Sequence, residues 1–157
     1  MASAIERFEE AATGLGVSPE IRRFSQGTKT AADAARAIGC EAGQIVKSLV
    51  FMADRRPFVA LTSGSNRADQ RRLAALLGSD NVTRASPEEA REATGFAIGG
   101  TPPFGHSHRL VVLVDRDLLS FGLVWAAAGT PDSVFPITPD ELLRTTGGRV
   151  ADFKEGG

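Results

Sequence analysis

One segment constrains this chain more than any other. Ile45 to Ala53 (Ile-Val-Lys-Ser-Leu-Val-Phe-Met-Ala) is rich in Val, Leu, Ile and Phe, a composition that favours a strand. Arg55-Arg56 reads as a turn and Pro57 to Ser63 as a second strand, so the pair reads as a hairpin. Lys47 interrupts the first strand with a charge. A buried ammonium is costly unless paired. Alternation sends Lys47 opposite to Val46 and Ser48, on the face of Ile45 and Leu49.

Helical and extended segments surround this hairpin. Ala2 to Thr13 reads as an amphipathic helix, with Ile5, Phe8 and Ala12 on one face. Thr30 reads as an N-cap, with Asp33 three residues on and Gly39 as the stop of a helix over Ala31 to Ile38. Asp69 to Leu77 has helical spacing and ends at Gly78. Ser86-Pro87-Glu88-Glu89 is a capping box with proline at the first helical position, opening a helix that stops at Gly95. Thr138-Pro139-Asp140-Glu141 repeats the device, with a stop at Gly147. Leu110 to Asp115, Leu123 to Ala128 and Val134 to Ile137 read as strands, and Val150 to Phe153 is expected to close the sheet. Strands and short helices alternate irregularly, which implies a mixed α/β fold rather than a regular doubly wound one.

Composition bounds the function. The chain has 157 residues, 42% hydrophobic and 24% charged, with a net charge of −1, values that suit one compact domain, expected to span residues 1–157. A binder of long duplex nucleic acid is usually basic, so DNA is not expected as a partner. Cys40 is the only cysteine, which excludes an internal disulfide and a four-cysteine zinc site. The amino terminus carries Glu6, Arg7, Glu9 and Glu10 and lacks a signal peptide's apolar run. No stretch is long enough to span a membrane. A cytoplasmic protein without a cofactor is expected.

Phe96 to His108 is the most unusual stretch. It holds three glycines and two prolines between a short helix and a strand. Glycine lets backbone N–H groups approach a ligand, and proline fixes a loop's shape. Such a loop can hold a carbonyl oxygen or an anion; it can equally be a structural connection. The spacing fits neither G-x-G-x-x-G nor a P-loop, and no G-x-S-x-G elbow occurs. His106 and His108 are the only histidines. With Asp115 or Asp117 they could form a metal site, but two histidines without an obvious third ligand are a weak pattern, and no metal is expected. His106 could act as a base or pack within its loop, the reading favoured here. Lys47 could line a cleft and meet a phosphate or carbonyl, or guard an edge strand against aggregation. Gly64-Ser65-Asn66-Arg67 is a polar turn able to hydrogen-bond a sugar or base. Trp125 to Thr130 joins one aromatic to small residues, suited to a pocket wall or a core strand.

These segments, in this order, resemble the YbaK/ProX family, also called the prolyl-tRNA-synthetase-associated domain. The matching runs are Thr30-Ala31-Ala32 with its helix, Gln44 to Phe51, Gly64 to Arg67, Gly95 to His106 and Trp125 to Thr130; the likeness spans roughly residues 20 to 153. The resemblance implies a curved, mostly antiparallel mixed sheet surrounded by short helices. It implies hydrolysis of the ester joining a mismatched amino acid to the 3′ end of tRNA, commonly tRNA(Pro), with prolyl-tRNA synthetase as a candidate partner. It gives Lys47 a contact with the tRNA end and Gly99 to Pro103 the aminoacyl carbonyl, with the substrate's 2′-hydroxyl assisting in place of a protein nucleophile. Lys47, Gly99, Gly100 and Pro103 are therefore the expected catalytic residues, with the Gly99 and Gly100 amides acting and Pro103 fixing them. Thr30, Ser65, Asn66, Thr101, Gly105, His106, Trp125 and Gly129 are the expected substrate-binding residues. The rival readings are a non-catalytic tRNA- or synthetase-binding module and a metal-dependent hydrolase using His106 and His108.

Overall fold

The computed structural model describes residues 2–24 and 30–156; Lys29, one of the three lysines, lies outside them. Five helices are described: α1 (Ala4–Gly14), α2 (Ala31–Ile38), α3 (Gln70–Leu77), α4 (Pro87–Thr94) and α5 (Pro139–Thr146). The starts of α2, α4 and α5 follow the caps seen in the sequence, whereas α1 begins at Ala4 rather than Ala2 because Ser3 caps it, and Asp69 caps α3 from outside. Ser3 and Ser86 close reciprocal capping boxes with Glu6 and Glu89, while Thr30 and Thr138 each cap through the hydroxyl. The expected glycine stops hold at Gly39, Gly78, Gly95 and Gly147.

Among the described residues eight strands form one open mixed sheet: β1 (Arg22–Arg23), β2 (Ile45–Ala53), β3 (Arg56–Ser63), β4 (Val82–Arg84), β5 (Val111–Asp115), β6 (Val124–Ala127), β7 (Ser133–Ile137) and β8 (Arg149–Ala151). Their order is β1-β7-β6-β2-β3-β5-β8, with β4 added beside β2. The pairs β1–β7, β2–β3, β2–β4 and β6–β7 are antiparallel, and β2–β6, β3–β5 and β5–β8 are parallel. The expected β2–β3 hairpin forms, but its turn is Asp54-Arg55 rather than Arg55-Arg56. Both turn residues have positive φ, +49° and +70°, the conformation a two-residue hairpin turn imposes, and Arg56 already pairs with Ala53. The last strand also ends earlier than expected. Phe153 leaves the ladder because its carbonyl accepts the Asp69 N–H (2.7 Å) ahead of α3.

The sheet's unequal pairing positions everything that follows. One edge of β2 pairs with β3 along its whole length, Val46 to Ala53. The other edge is shared. β6 takes Ile45 and Val46, and β4 takes Phe51 to Ala53. Residues 47–50 lie between them with no strand alongside. Val50 turns its carbonyl to the Ala85 N–H (3.1 Å) on that side. Since N–H and C=O groups alternate sides every residue, those of Ser48 open onto the same gap.

The two faces of β2 pack into different clusters. Val46 and Val50 join the largest core with Phe8, Phe96, Phe104 and Phe135. Ile45 packs with Trp125 and Val134, while Leu49 and Phe51 pack with Phe58 and Leu73. Three rings, Phe8, Phe104 and Phe135, lie 4.7–5.9 Å apart, a spacing favourable for aromatic pairs. Phe104 thus anchors the proline-rich loop in the core.

Candidate active site

A cleft of about 600 Å³ opens over the unpaired stretch of β2. Its walls come from Lys47 to Val50, the α2 N-terminus, Arg67, Arg84, the loop at Ile98, Gly99 and Thr101, and Trp125 with the β6–β7 connection. Sequence-distant segments meet here because β4 and β6 each stop short of covering β2.

Lys47 reaches the cleft half-buried, and its Nζ donates to the Asn66 carbonyl at 2.6 Å. Burial pulls its pKa below the usual lysine range; repulsion from Arg67 and Arg84 adds to this, and Asp115 partly offsets it. Among the described residues no carboxylate lines the cleft, so the ammonium faces it without a full counter-charge. The Asn66 backbone is itself tied down. Its side-chain amide donates to Asp115 Oδ2 and Asp117 Oδ2, both at 2.9 Å. Asp115 is buried and also accepts the Ser63 N–H at 3.0 Å, and Lys154 pairs with Asp117 at 2.8 Å. Asn66 therefore holds the lysine through its carbonyl, while its side chain is spent on this network.

The loop after α4 is fixed at both ends. Arg7 Nη1 donates to the Gly95 carbonyl (2.8 Å), its guanidinium lies over the Phe96 ring, and the Ser107 N–H donates to the Thr94 carbonyl (2.9 Å). Within the loop, the Gly100 N–H donates to the Ala97 carbonyl at 3.0 Å and the Thr101 hydroxyl to the same oxygen at 3.1 Å. This turn separates the two glycines. Gly99, with φ of +85°, lines the cleft, and its N–H has no hydrogen-bond partner among the described residues. Gly100 faces away. A Cβ there would lie 2.8 Å from Thr130 Cα and 2.9 Å from the Gly129 carbonyl oxygen, so glycine is needed for close packing against the β6–β7 connection. Of the two expected amides, the Gly100 N–H is committed to its turn, and the Gly99 N–H is the one left open at the cleft.

His106 lies partly buried in its loop, its Nε2 2.7 Å from the Pro102 carbonyl. A carbonyl only accepts, so Nε2 carries the proton. Burial lowers the His106 pKa, with the Pro102 bond opposing; the ring brings Pro102 and His106 together across the loop. Pro103 is buried beside Phe104 in sequence. His106 is outside the cleft lining, and His108 is exposed. Among the described residues no three histidine, cysteine or acidic side chains gather as metal ligands, and no helix is long and apolar enough to cross a membrane.

Thr30, Thr101 and Trp125 line the cleft with Lys47 and Gly99. Trp125 is buried at the β2–β6 junction under the Arg22 guanidinium, 4.7 Å from its ring centroid. Ser65, Asn66, Gly105 and Gly129 are outside the lining: Ser65 is 3.4 Å from the Ser63 hydroxyl, and Gly105 and Gly129 abut α1 residues Ala11 and Ala4. The structure adds Ser48, Arg67 and Arg84 to the wall. Arg84 follows no visible signal, since β4 is only three residues long.

Residues 25–145 match the model of the aminoacyl-tRNA editing domain family. The chain belongs to this family. A solved structure described as a "putative trans-editing enzyme for prolyl tRNA synthetase" resembles the editing domain over 99% of both chains, with 45% identity and a TM-score of 0.93. A protein of Enterococcus faecalis (strain ATCC 700802 / V583), named "Putative Cys-tRNA(Pro)/Cys-tRNA(Cys) deacylase EbsC", is 25% identical over 83% of this chain and 80% of its own. The proline–tRNA ligase of Limosilactobacillus fermentum (strain NBRC 3956 / LMG 18251) is 29% identical over 75% of this chain. The match covers only 21% of that ligase, so the editing domain corresponds to one part of a larger enzyme there.

Proposed function

We propose that this editing domain hydrolyses the ester of a mischarged tRNA, with tRNA(Pro) carrying a small wrong amino acid as the substrate. The observation that carries this reading is the composition of the cleft. It offers the Lys47 ammonium beside Arg67 and Arg84 and an open amide at Gly99, with no histidine, cysteine or carboxylate among the described residues of its lining. An aminoacyl ester is already activated, so positioning and charge stabilisation suffice. Lys47 meets the 3′ end of the tRNA. The Gly99 N–H donates to the ester carbonyl oxygen. Water adds to the carbonyl carbon, and the C=O electron pair moves to the oxygen held by Gly99. Collapse breaks the bond to the ribose oxygen, which takes the proton, leaving free amino acid and tRNA. The neighbouring ribose 2′-hydroxyl relays that proton. One such oxyanion donor contributes about 3 kcal/mol.

The tRNA(Pro) choice, and prolyl-tRNA synthetase as partner, are supported by what the relatives are named for. The test is release of amino acid from tRNA(Pro) charged with alanine, cysteine, serine or proline. Acceleration is expected for at least one wrong amino acid and not for proline. No acceleration on any member refutes the reading, and binding without turnover would identify a docking module instead.

A further inference from the structure

The Ser48 hydroxyl is the one buried side-chain oxygen or nitrogen among the described residues that has no hydrogen-bond partner. Buried polar groups in folded proteins nearly always have one, and leaving one unmade is costly. Ser48 is not hidden in a packed core. It lines the cleft, beside Lys47 on β2, where that strand's edge is bare.

The other described hydroxyls of the cleft wall each have a partner within the fold. Thr30 accepts the Asp33 N–H as a helix cap (3.1 Å), Thr101 donates to the Ala97 carbonyl (3.1 Å), and Ser133 donates to the Thr130 carbonyl (3.1 Å). Ser48 alone among these described hydroxyls has no partner at all. Its surroundings are otherwise apolar and small. Alternation puts its side chain on the face of Val46 and Val50, and Ala85 and Ala90 belong to the same cluster and line the same cleft. Lys47 projects to the opposite face of β2. A ligand lying across the gap therefore has two ends in different chemistry. One meets Lys47, Arg67 and Arg84, and the other enters an apolar recess holding one unspent hydroxyl.

We infer that Ser48 reads the side chain of the amino acid, so that the cleft selects a small hydroxyl-bearing residue, serine or threonine, over alanine. This rests on the deacylase reading above. A recess lined only by methyl groups would discriminate weakly between alanine and serine, because an added hydroxyl costs little to admit. A buried hydroxyl left unpaired by alanine and paired by serine gives the site a preference.

The experiment compares kcat/KM for tRNA(Pro) acylated with alanine, serine and threonine, using the whole protein, Ser48→Ala and Ser48→Thr. The expected wild-type preference for the seryl over the alanyl ester is about tenfold, one neutral hydrogen bond at the upper end of its usual range. In Ser48→Ala that ratio falls to about one, and in Ser48→Thr, which keeps the hydroxyl, the preference persists. Thermal unfolding separates a structural role, since deleting an unpaired hydroxyl leaves the midpoint unchanged or raised, and a lowered midpoint in Ser48→Ala would show the hydroxyl to be paired within the fold. Hydrolysis with the same seryl-to-alanyl ratio in wild type and Ser48→Ala overturns this inference alone. Absence of hydrolysis on every ester overturns the deacylase reading beneath it.

Discussion

Lys47→Met separates the function of the cleft from the stability of the fold. Methionine keeps the length of the side chain and removes its charge. Two contributions to folding then change in opposite directions. The variant loses the hydrogen bond from Nζ to the Asn66 carbonyl (2.6 Å), and bonds from charged donors contribute about 1.5–3 kcal/mol. It also loses the cost of half-burying an ammonium and its repulsion from Arg67 and Arg84, the two influences that lower the Lys47 pKa. The Asn66 carbonyl belongs to a residue that is only partly buried, so it regains water. The net change in stability is expected within about 1 kcal/mol, or at most about 4 °C in a chain this size. Activity should fall far more, by roughly a hundredfold in kcat/KM, because the charged contact with the tRNA end, worth up to about 3 kcal/mol, is removed. The pH dependence gives a second signature. A lysine whose folded pKa is lowered sheds its proton in the folded state before the unfolded chain does. Wild-type stability therefore gains a rising contribution between that lowered value and the ordinary lysine value of about 10.4, and the gain is complete above it. Methionine lacks this contribution, so the wild type gains on the variant toward alkaline pH. Urea titrations across pH and deacylation kinetics measure both. A large loss of stability in Lys47→Met, or retained turnover, would refute the reasoning.

Three further outcomes follow from the loop and its anchors. Gly100→Ala places a Cβ 2.8 Å from Thr130 Cα; a cost of about 1–3 kcal/mol is expected from denaturant melts, with a fall in deacylation as Gly99 is displaced. Phe104→Ala, in a side chain 3% exposed, should cost about 3–5 kcal/mol and release the Pro102-Pro103 segment, visible as faster amide exchange at residues 99–106. His106 has a folded pKa lowered by burial, so the unfolded chain takes its proton first. Stability should decline as pH falls through about 6.5 and level off below the folded value, and His106→Gln should flatten that acid limb in thermal melts.

Local chemistry made much of this fold legible. The caps at Ser86 and Thr138 and the stops at Gly39, Gly78, Gly95 and Gly147 act within a few residues of the chain, so their positions follow from sequence alone. The long strands β2 and β3 carry enough β-branched and aromatic side chains to be recognised. β1 and β4 do not, being two and three residues long; they exist because a partner strand supplies hydrogen bonds. The hairpin turn shifted by one residue for the same reason, since pairing of Ala53 with Arg56 overrides the preference of Arg55 for negative φ.

The site was legible only as far as its residues announce themselves by type. A lysine among apolar side chains and two adjacent glycines are unusual in any sequence. Which glycine amide stays open depends on a turn: Ala97 takes the Gly100 N–H and leaves Gly99 facing the cleft. The sequence reads Asn66 as a substrate contact and gives no sign that Asp115 and Asp117, residues 49 and 51 positions away, accept from its side chain. Ser48 is an ordinary serine until β4 and β6 are both placed. The gap they leave makes it significant, and that gap is set by where two neighbouring strands end. A pocket defined by missing strand pairing leaves no composition signal in the strand that floors it, so specificity here is a property of the sheet's topology before it is a property of any one residue.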